Sequence, residues 1–262
     1  MIVIGSGKFV DTNVAFDAVY LNRKRHKLGI KFTSKYLTGE LKMCFSVSTE
    51  AASILAQSCA LLSVKVRDTL KHIYNTGKNW DSMDVQTRAK ILVDMENNLV
   101  LDKEIIRKNR TEFVHDAIFK LSNTLIDMSF DEIQETLSQL ANDVTQIVMQ
   151  KIHTLFPIVT FKKGFTEPNE IKKEIEASSI SNVFNENGHG QDKDILIELM
   201  LILALGTESE SYDKLEFYSS DASFCSLFDK YKNIEMSLTK ANNSHIPASL
   251  SNLVFIDPYA NG

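Results

Sequence analysis

Short apolar runs that end in polar or acidic residues alternate with helix patterns at both ends of the chain, and this alternation most restricts the fold. Near the N-terminus it predicts a strand over residues 8–11, a helix from about 14 to 26, a strand over 42–47 and a helix from about 49. Strands that alternate with helices are typical of βαβ units, in which the strands run parallel. We therefore expect an α/β protein with a central parallel sheet.

The same pattern returns near the C-terminus, after a long helical middle. It predicts an apolar helix over 195–205 that ends at Gly206, a strand in "LEFYSSD", a helix over 223–231, and strands near 234–238 and 253–256. Residues 51–153 instead repeat apolar positions at helical spacing, as in the stripe from Ile133 to Val148. We expect residues 1–60 and 185–262 to form the α/β core, and residues 61–184 to form a predominantly helical insert.

The composition narrows the class of protein. With 44% hydrophobic and 24% charged residues, the chain is typical of an ordered globular protein. Its three cysteines are not closely spaced, which disfavours a disulfide scaffold and predicts a reducing, cytoplasmic location. The apolar run over 195–205 is too short for a membrane span, which needs about 20 residues, so we expect no membrane association. A net charge of −5 argues against a dominant basic surface.

Acidic residues stand at corresponding places in the predicted units. Asp11 ends the first strand, Glu50 opens the next helix, Asp192 and Asp194 precede the apolar helix, and Asp221 follows "LEFYSS". Each could simply cap a helix. Strand ends of a parallel sheet share one edge, however, and carboxylates brought together there repel each other unless a cation neutralises them. Because oxygen ligands suit hard cations, the pattern predicts a Mg²⁺ or Mn²⁺ site.

Four segments carry a resemblance to a known family. "FVDTNV", "SVSTEAASIL", "DKDILIELMLILAL" and "FYSSDASF" resemble, in this order, the four motifs of PIN-domain nucleases, over about residues 8–60 and 190–240. The resemblance implies a PIN-like three-layer α/β/α fold and a metal-dependent endonuclease; RNA is favoured over DNA as its substrate, and the sequence leaves that choice open.

The resemblance also assigns roles to individual residues. The metal-binding and catalytic acids would be Asp11, Glu50, Asp194 and Asp221, with Asp192 as the alternative third acid. Asp194 is preferred because it directly abuts the apolar run. Asn13 would organise the site through hydrogen bonds, and Ser219 or Ser220 would support Asp221.

Two further features are candidate contacts to substrate. The basic residues Arg23, Lys24 and Arg25 lie at the end of the first predicted helix. There they could either interact favourably with the helix dipole or attract the phosphate backbone of a nucleic acid. His189, in "NGHGQDKD", could contact a scissile phosphate or could be an ordinary surface histidine.

Two other functions remain open from the sequence. One is a PIN-like module without catalysis that binds nucleic acid or a protein partner through the helical insert. The other is a nucleotide-binding enzyme built on "GSG" in "IVIGSGKFV". The dinucleotide fingerprint needs a third glycine where this chain has Val10, so that match is partial.

Overall fold

The protein is an α/β protein that separates into two compact units. The computed structural model describes residues 2–21, 23–77, 79–103, 123–162, 167–185, 189–238 and 246–260. We call the first unit the sheet unit; it consists of Met1–Ala18, Lys27–Glu50 and Ile152–Gly262. We call the second the helical unit; it consists of Val19–His26 and Ala51–Lys151.

The sheet has five strands in the described part of the chain, and all of them run parallel. They are β1 (Ile2–Val10), β2 (Leu41–Cys44), β3 (Ile158–Val159), β4 (Glu210–Tyr218) and β5 (Leu253–Ile256). Their order across the sheet is β3-β2-β1-β4-β5, which confirms the predicted central parallel sheet. The chain builds outward on one side of β1 and then returns to the other side at β4. Ligands bind at such a reversal in open α/β sheets.

The helices belong to both units. They are α1 (Thr12–Val19), α2 (His26–Thr33), α3 (Phe45–Asn75), α4 (Val85–Val100), α5 (Phe130–Leu155), α6 (Glu167–Ala177), α7 (Ile180–Asn185), α8 (Gly190–Leu205), α9 (Ala222–Leu238) and α10 (Ile246–Asn252), with a 3₁₀ turn at Trp80–Ser82. Residues 195–202 of α8 are all buried, and α8 ends at Gly206 with φ +72°, as predicted. Glycine adopts this left-handed conformation without strain.

The helical unit has a hydrophobic core of its own, built from α3, α4 and α5. Trp80 is fully buried there: its indole N–H donates to the Met128 carbonyl at 2.9 Å, and the Arg88 guanidinium lies 5.3 Å from its ring. Ser129 and Glu132 form a capping box at the start of α5. The tryptophan is therefore a core residue rather than an exposed platform for nucleic-acid bases.

By length and composition alone, α3 could cross a membrane over residues 45–73. This is weak support for a membrane protein, because the core helix of a soluble protein meets the same criterion. Here α3 supplies Leu62, Val66 and Leu70 to the core of the helical unit.

Several predicted elements were wrong in extent or type. The first helix ends at Val19 rather than near residue 26, so the basic residues Arg23, Lys24 and Arg25 lie in the turn before α2 and not at a helix C-terminus. Residues 234–238 are not a strand but the last turns of α9. Buried Phe224, Phe228, Tyr231 and Glu235 recur there at helical spacing, which outweighs the short apolar run.

The boundary between the two units also lies elsewhere than expected from the sequence. Residues 152–184 fall in the sheet unit, although the sequence places them in the insert. Two contacts account for this: β3 pairs with β2, and both α6 and α7 pack on α8. The strand β3 is only two residues long, too short to show as a periodic pattern.

The "GSG" segment lies inside β1, not in a turn between a strand and a helix. A Cβ atom on Gly7 would lie 2.7 Å from side-chain atoms of both Leu215 and Tyr212 on β4. The close packing of β1 against β4 thus explains why a glycine stands at position 7. The segment does not form the turn between a strand and a helix that would bind a phosphate.

We expect Gly7→Ala to lower the free energy of unfolding by about 1–3 kcal/mol, because the added methyl group overpacks the contact with β4. Urea denaturation measures the effect. Gly5→Ala is the matched control, since a Cβ atom at Gly5 meets no atom within 4 Å. Equal stability of both variants would contradict this account of Gly7.

Candidate active site

Asp11 lies at the carboxyl end of the central strand β1 and is 3% exposed. Its peptide N–H donates to the Tyr218 carbonyl at 2.9 Å, which extends the pairing of β1 with β4 by one residue. Its Oδ1 accepts the Thr12 N–H at 2.7 Å, and its Oδ2 accepts the Ser219 hydroxyl at 2.7 Å. Both carboxylate oxygens are therefore fixed by neighbouring groups at the sheet edge.

Glu50 is joined to this edge through Thr12. The Thr12 hydroxyl donates to Glu50 Oε2, so the first two acidic segments share one hydrogen-bonded bridge. The PIN-like motif assigns the organising role to Asn13 and none to Thr12. Asn13 is partly buried in the first turn of α1. The only feature of the sequence that could have indicated a role for Thr12 is its position between Asp11 and the start of a helix.

The helix that carries Glu50 is held by a buried carboxylate from α8. Glu198 is 6% exposed, and its two oxygens accept the N–H groups of Phe45 at 3.1 Å and Ser46 at 2.6 Å. These are the first two residues of α3, whose N–H groups have no partner inside the helix. The glutamate that interrupts the most apolar helix of the protein is thus an N-terminal cap for another helix.

Asp221 follows β4 and opens α9. Its Oδ1 accepts the N–H groups of Ser223 at 2.8 Å and Phe224 at 3.1 Å, which is the geometry of a helix cap. Its own N–H donates to the Ser219 hydroxyl oxygen at 3.1 Å. Ser219 therefore connects Asp221 with Asp11. Of the two serines assigned to support Asp221, the structure shows this bridge for Ser219, while Ser220 is the partly exposed residue between them.

Asp192 lies in the first turn of α8 and Asp194 follows it two residues later, and both line the same region. Asp192 is partly buried, and its Oδ2 lies 2.5 Å from Nδ1 of His189. Asp194 is exposed. The preference for Asp194 as the third acid stays a prediction, and the electrostatic neighbours described below associate Asp192 more closely with Asp11 and Asp221.

These groups line one open cleft of about 590 Å³ in the sheet unit. Its lining consists of Glu50, Asp192, Asp194 and Asp221, together with His189, Gly190, Gln191 and Lys193. Asp11 is buried next to it, through the bridges of Thr12 and Ser219. Segments that are distant in sequence thus deliver carboxylates to one place, beside the β1–β4 reversal in strand order.

The cleft carries an excess of negative charge. The pKa of Asp11 is raised from 3.8 to about 7: burial is the largest cause, repulsion by Glu50 and Asp192 adds to the rise, and the hydrogen bonds from Ser219 and Thr12 oppose it. Burial also raises the pKa of Asp192, with His189 opposing the rise and Asp221 adding to it. Carboxylates that raise each other's pKa values form a site that a cation would stabilise.

No group of three or more histidine, cysteine, aspartate or glutamate side chains converges in the geometry of a metal site among the residues that the structure describes. The carboxylates share a cleft and an electrostatic environment, but not a preformed set of ligands. Arg23, Lys24 and Arg25 belong to the helical unit and are not among the residues that line the cleft.

Comparisons with known proteins add no family. No protein-family model matches the sequence, and no curated protein or solved structure matches it. The resemblance to PIN-domain nucleases therefore depends on the four motifs and on the positions of their residues.

Proposed function

We propose that this protein is a metal-dependent endonuclease that hydrolyses phosphodiester bonds, with RNA as its substrate and a PIN-like three-layer α/β/α sheet unit. One observation carries the proposal: acidic residues from three separate segments line one cleft, and Asp11, from a fourth segment, is buried next to it, at the edge where a parallel sheet reverses its strand order. The RNA specificity comes from the resemblance of the four motifs.

The donors in this cleft suit Mg²⁺ or Mn²⁺ by their chemistry. They are carboxylates, which hard divalent cations prefer, and repulsion by Glu50 and Asp192 adds to the burial that raises the pKa of Asp11. The residues that would hold the ion are Asp11, Glu50, Asp221 and one or both of Asp192 and Asp194. When bound, such an ion lowers the pKa of water and offsets negative charge at a phosphate.

The protein's own groups have distinct parts in this proposal. Thr12 and Ser219 hold the Asp11 and Glu50 carboxylates in place through the hydrogen bonds described above. Lys193, in the wall of the cleft, is a cation that can attract the phosphate backbone toward this acidic region. His189, held by Asp192, presents an imidazole to the same cleft and can hydrogen-bond a phosphate oxygen.

Cleavage of labelled RNA tests the proposal. Single-stranded and structured RNAs are incubated with Mn²⁺ or with EDTA, using the wild type, Asp11→Asn and Asp221→Asn. We expect cutting only with Mn²⁺, and at least a 100-fold loss of rate in each variant, because each substitution removes a charged oxygen donor. Asp213→Asn is a matched control, since Asp213 is an acid of the sheet unit that does not line the cleft.

The outcomes are distinct. Cutting that survives Asp11→Asn and Asp221→Asn would locate the activity elsewhere and overturn the assignment of this cleft. Failure of the wild type to cut RNA and then DNA, with Mn²⁺ or Mg²⁺, would overturn the proposed nuclease.

A second candidate is a PIN-like module that binds nucleic acid or a protein partner without cleaving. The observation that favours it is the lack of three converging metal ligands among the described residues. It predicts that the protein binds RNA with an affinity that Mn²⁺ does not change, or that a protein partner binds to the surface of the helical unit. For either function we propose a cytoplasmic protein, because Cys44, Cys59 and Cys225, all of which the structure describes, form no disulfide with one another.

A further inference from the structure

A second, smaller pocket lies at the carboxyl edge of β4 and β5, bounded by α2 and by the turn after β5. It encloses about 170 Å³. That is the space of about six water molecules at about 30 Å³ each, enough for one planar ring but not for a large ligand. The pocket is lined by Leu28, Lys31, Phe32, Lys35, Tyr36, Tyr218, Ile256, Asp257, Pro258 and Tyr259.

The cationic side of this pocket comes from α2 and the residues after it. Lys31 and Lys35 are one helical turn apart in sequence, both are exposed, and neither forms an ion pair with a described residue. Within the sheet unit, the sequence from Lys27 to Tyr36 contains three lysines and no acidic residue, in a chain whose net charge is −5. This local excess of positive charge is the type of surface that attracts a phosphate backbone.

The aromatic side consists of rings held in place by their neighbours. Tyr36 and Phe32 pack at 5.2 Å between ring centroids, and the Tyr36 hydroxyl donates to the Tyr218 hydroxyl at 3.2 Å. On the opposite side, the Tyr259 hydroxyl donates to the buried Asp17 carboxylate at 2.9 Å. Tyr36 and Tyr259 are both partly exposed, and both line the pocket. Fixed aromatic rings next to cations are the composition of single-strand binding sites.

The position of the pocket relates it to the acidic cleft. Tyr218, the last residue of β4, lines the pocket, while Asp221, three residues later, lines the cleft. Three residues span at most about 11 Å between their Cα atoms. The two sites therefore lie along the same sheet edge, within reach of one short nucleic-acid strand.

We propose that this pocket binds one nucleotide of single-stranded RNA, with its phosphate at Lys31 and Lys35 and its base against the rings of Tyr36 and Tyr259. The inference rests on the proposed function for the choice of RNA and for the continuity of the strand into the cleft. The pocket would hold the substrate at a cationic, aromatic surface beside an acidic site that repels phosphates.

One group in the pocket opposes a phosphate. Asp257 is exposed, and its Oδ1 accepts the Tyr259 N–H at 2.9 Å. The substitution Asp257→Asn keeps an acceptor for this N–H and removes the charge. We therefore expect Asp257→Asn to bind RNA more tightly than the wild type.

Binding of labelled oligouridine in EDTA tests the pocket separately from cleavage, by fluorescence anisotropy over a range of salt concentrations. On single strands, each phosphate contact adds about 0.7 to the slope of log affinity against log salt concentration. For the double variant Lys31→Ala/Lys35→Ala, which removes two such contacts, we expect this slope to fall by about 1.4 and binding at 0.1 M salt to weaken about 25-fold. The control is Lys173→Ala/Lys230→Ala, which removes the same charge from exposed positions on α6 and α9. Thermal melting verifies that all variants fold.

The aromatic part has its own readout. Tyr36→Leu should weaken binding at least about 5-fold, and Tyr36→Phe, which keeps the ring, should not. If the double lysine variant binds oligouridine as tightly as the wild type does, the proposal is overturned. It is also overturned if the wild type binds duplex RNA as tightly as oligouridine. If the wild type never cuts RNA but the double lysine variant binds oligouridine more weakly as described, the proposed binding pocket is supported and only the nuclease proposal is overturned.

Discussion

Asp11→Asn is expected to make the protein more stable at pH 8 while removing its cleavage activity. The Asp11 pKa of about 7, against 3.8 for a free carboxyl group, means that the folded state disfavours the charged form. At about 1.4 kcal/mol per pKa unit, the neutral side chain would raise the free energy of unfolding by up to about 4 kcal/mol. An asparagine can still accept the Thr12 N–H and can donate to the Ser219 hydroxyl oxygen.

The sign of the pH dependence follows from the direction of this pKa shift. Between about pH 4 and pH 7 the folded protein holds a proton on Asp11 that the unfolded chain has lost, so stability falls as the pH rises. Below about pH 4 both states are protonated, and above about pH 7 both are charged. We expect this component of the wild-type slope to be absent in Asp11→Asn.

Urea denaturation of both proteins at pH 5 and pH 8 measures this effect. Asp221→Asn is the matched control: Asp221 is partly exposed and caps α9, and an asparagine caps a helix nearly as well. Added Mn²⁺ should raise the wild-type melting temperature at pH 8 and change that of Asp11→Asn little, because a cation that binds only the folded state stabilises it. A less stable Asp11→Asn protein at pH 8 would contradict the assigned burial cost.

The second large effect is expected at Glu198. Glu198→Leu should lower the free energy of unfolding by about 3 kcal/mol, since it leaves the N–H groups of Phe45 and Ser46 without acceptors at the start of α3. Leucine continues the apolar pattern of α8, so hydrophobicity alone predicts the opposite result. The measurement is urea denaturation at neutral pH.

Glu198→Gln is the control for this substitution, because it keeps the shape and one acceptor oxygen but removes the charge. We expect its loss to be smaller than that of Glu198→Leu. Because α3 also carries Glu50, Glu198→Leu should reduce the Mn²⁺-dependent cleavage rate as well. A Glu198→Leu protein as stable as the wild type would show that these N–H groups find other partners.

The sequence predicted the sheet edge more accurately than the helices that surround it. The strand ending before Asp11 and the strand over 253–256 are present, and α8 ends at Gly206 as predicted. Helix boundaries were less predictable. α1 stops at Val19 where no proline or glycine stands, and α9 continues through residues expected to form a strand. For α9 the helical spacing of Phe224, Phe228 and Tyr231 outweighs the short apolar run on which the strand was predicted.

The roles of three polar residues appeared only in the structure. Thr12 bridges to Glu50, Ser219 bridges Asp11 and Asp221, and Glu198 caps α3 from a helix about 150 residues away in sequence. The sequence contains a signal for the role of Glu198, because it is the one acidic residue within an apolar run. Its partner could not be inferred, because any exposed helix terminus satisfies the same chemistry.

The sequence by itself determined the fold class and the residues at the ends of the strands, since period and composition are local properties that the chain carries with it. It also determined that four acidic positions follow corresponding elements. Only the tertiary structure decided that β4 returns beside β1, which brings Asp221 and Asp11 to one serine and places a lysine and tyrosine pocket along the same edge. Strand order depends on which surfaces are buried together, and that is a property of the whole folded chain.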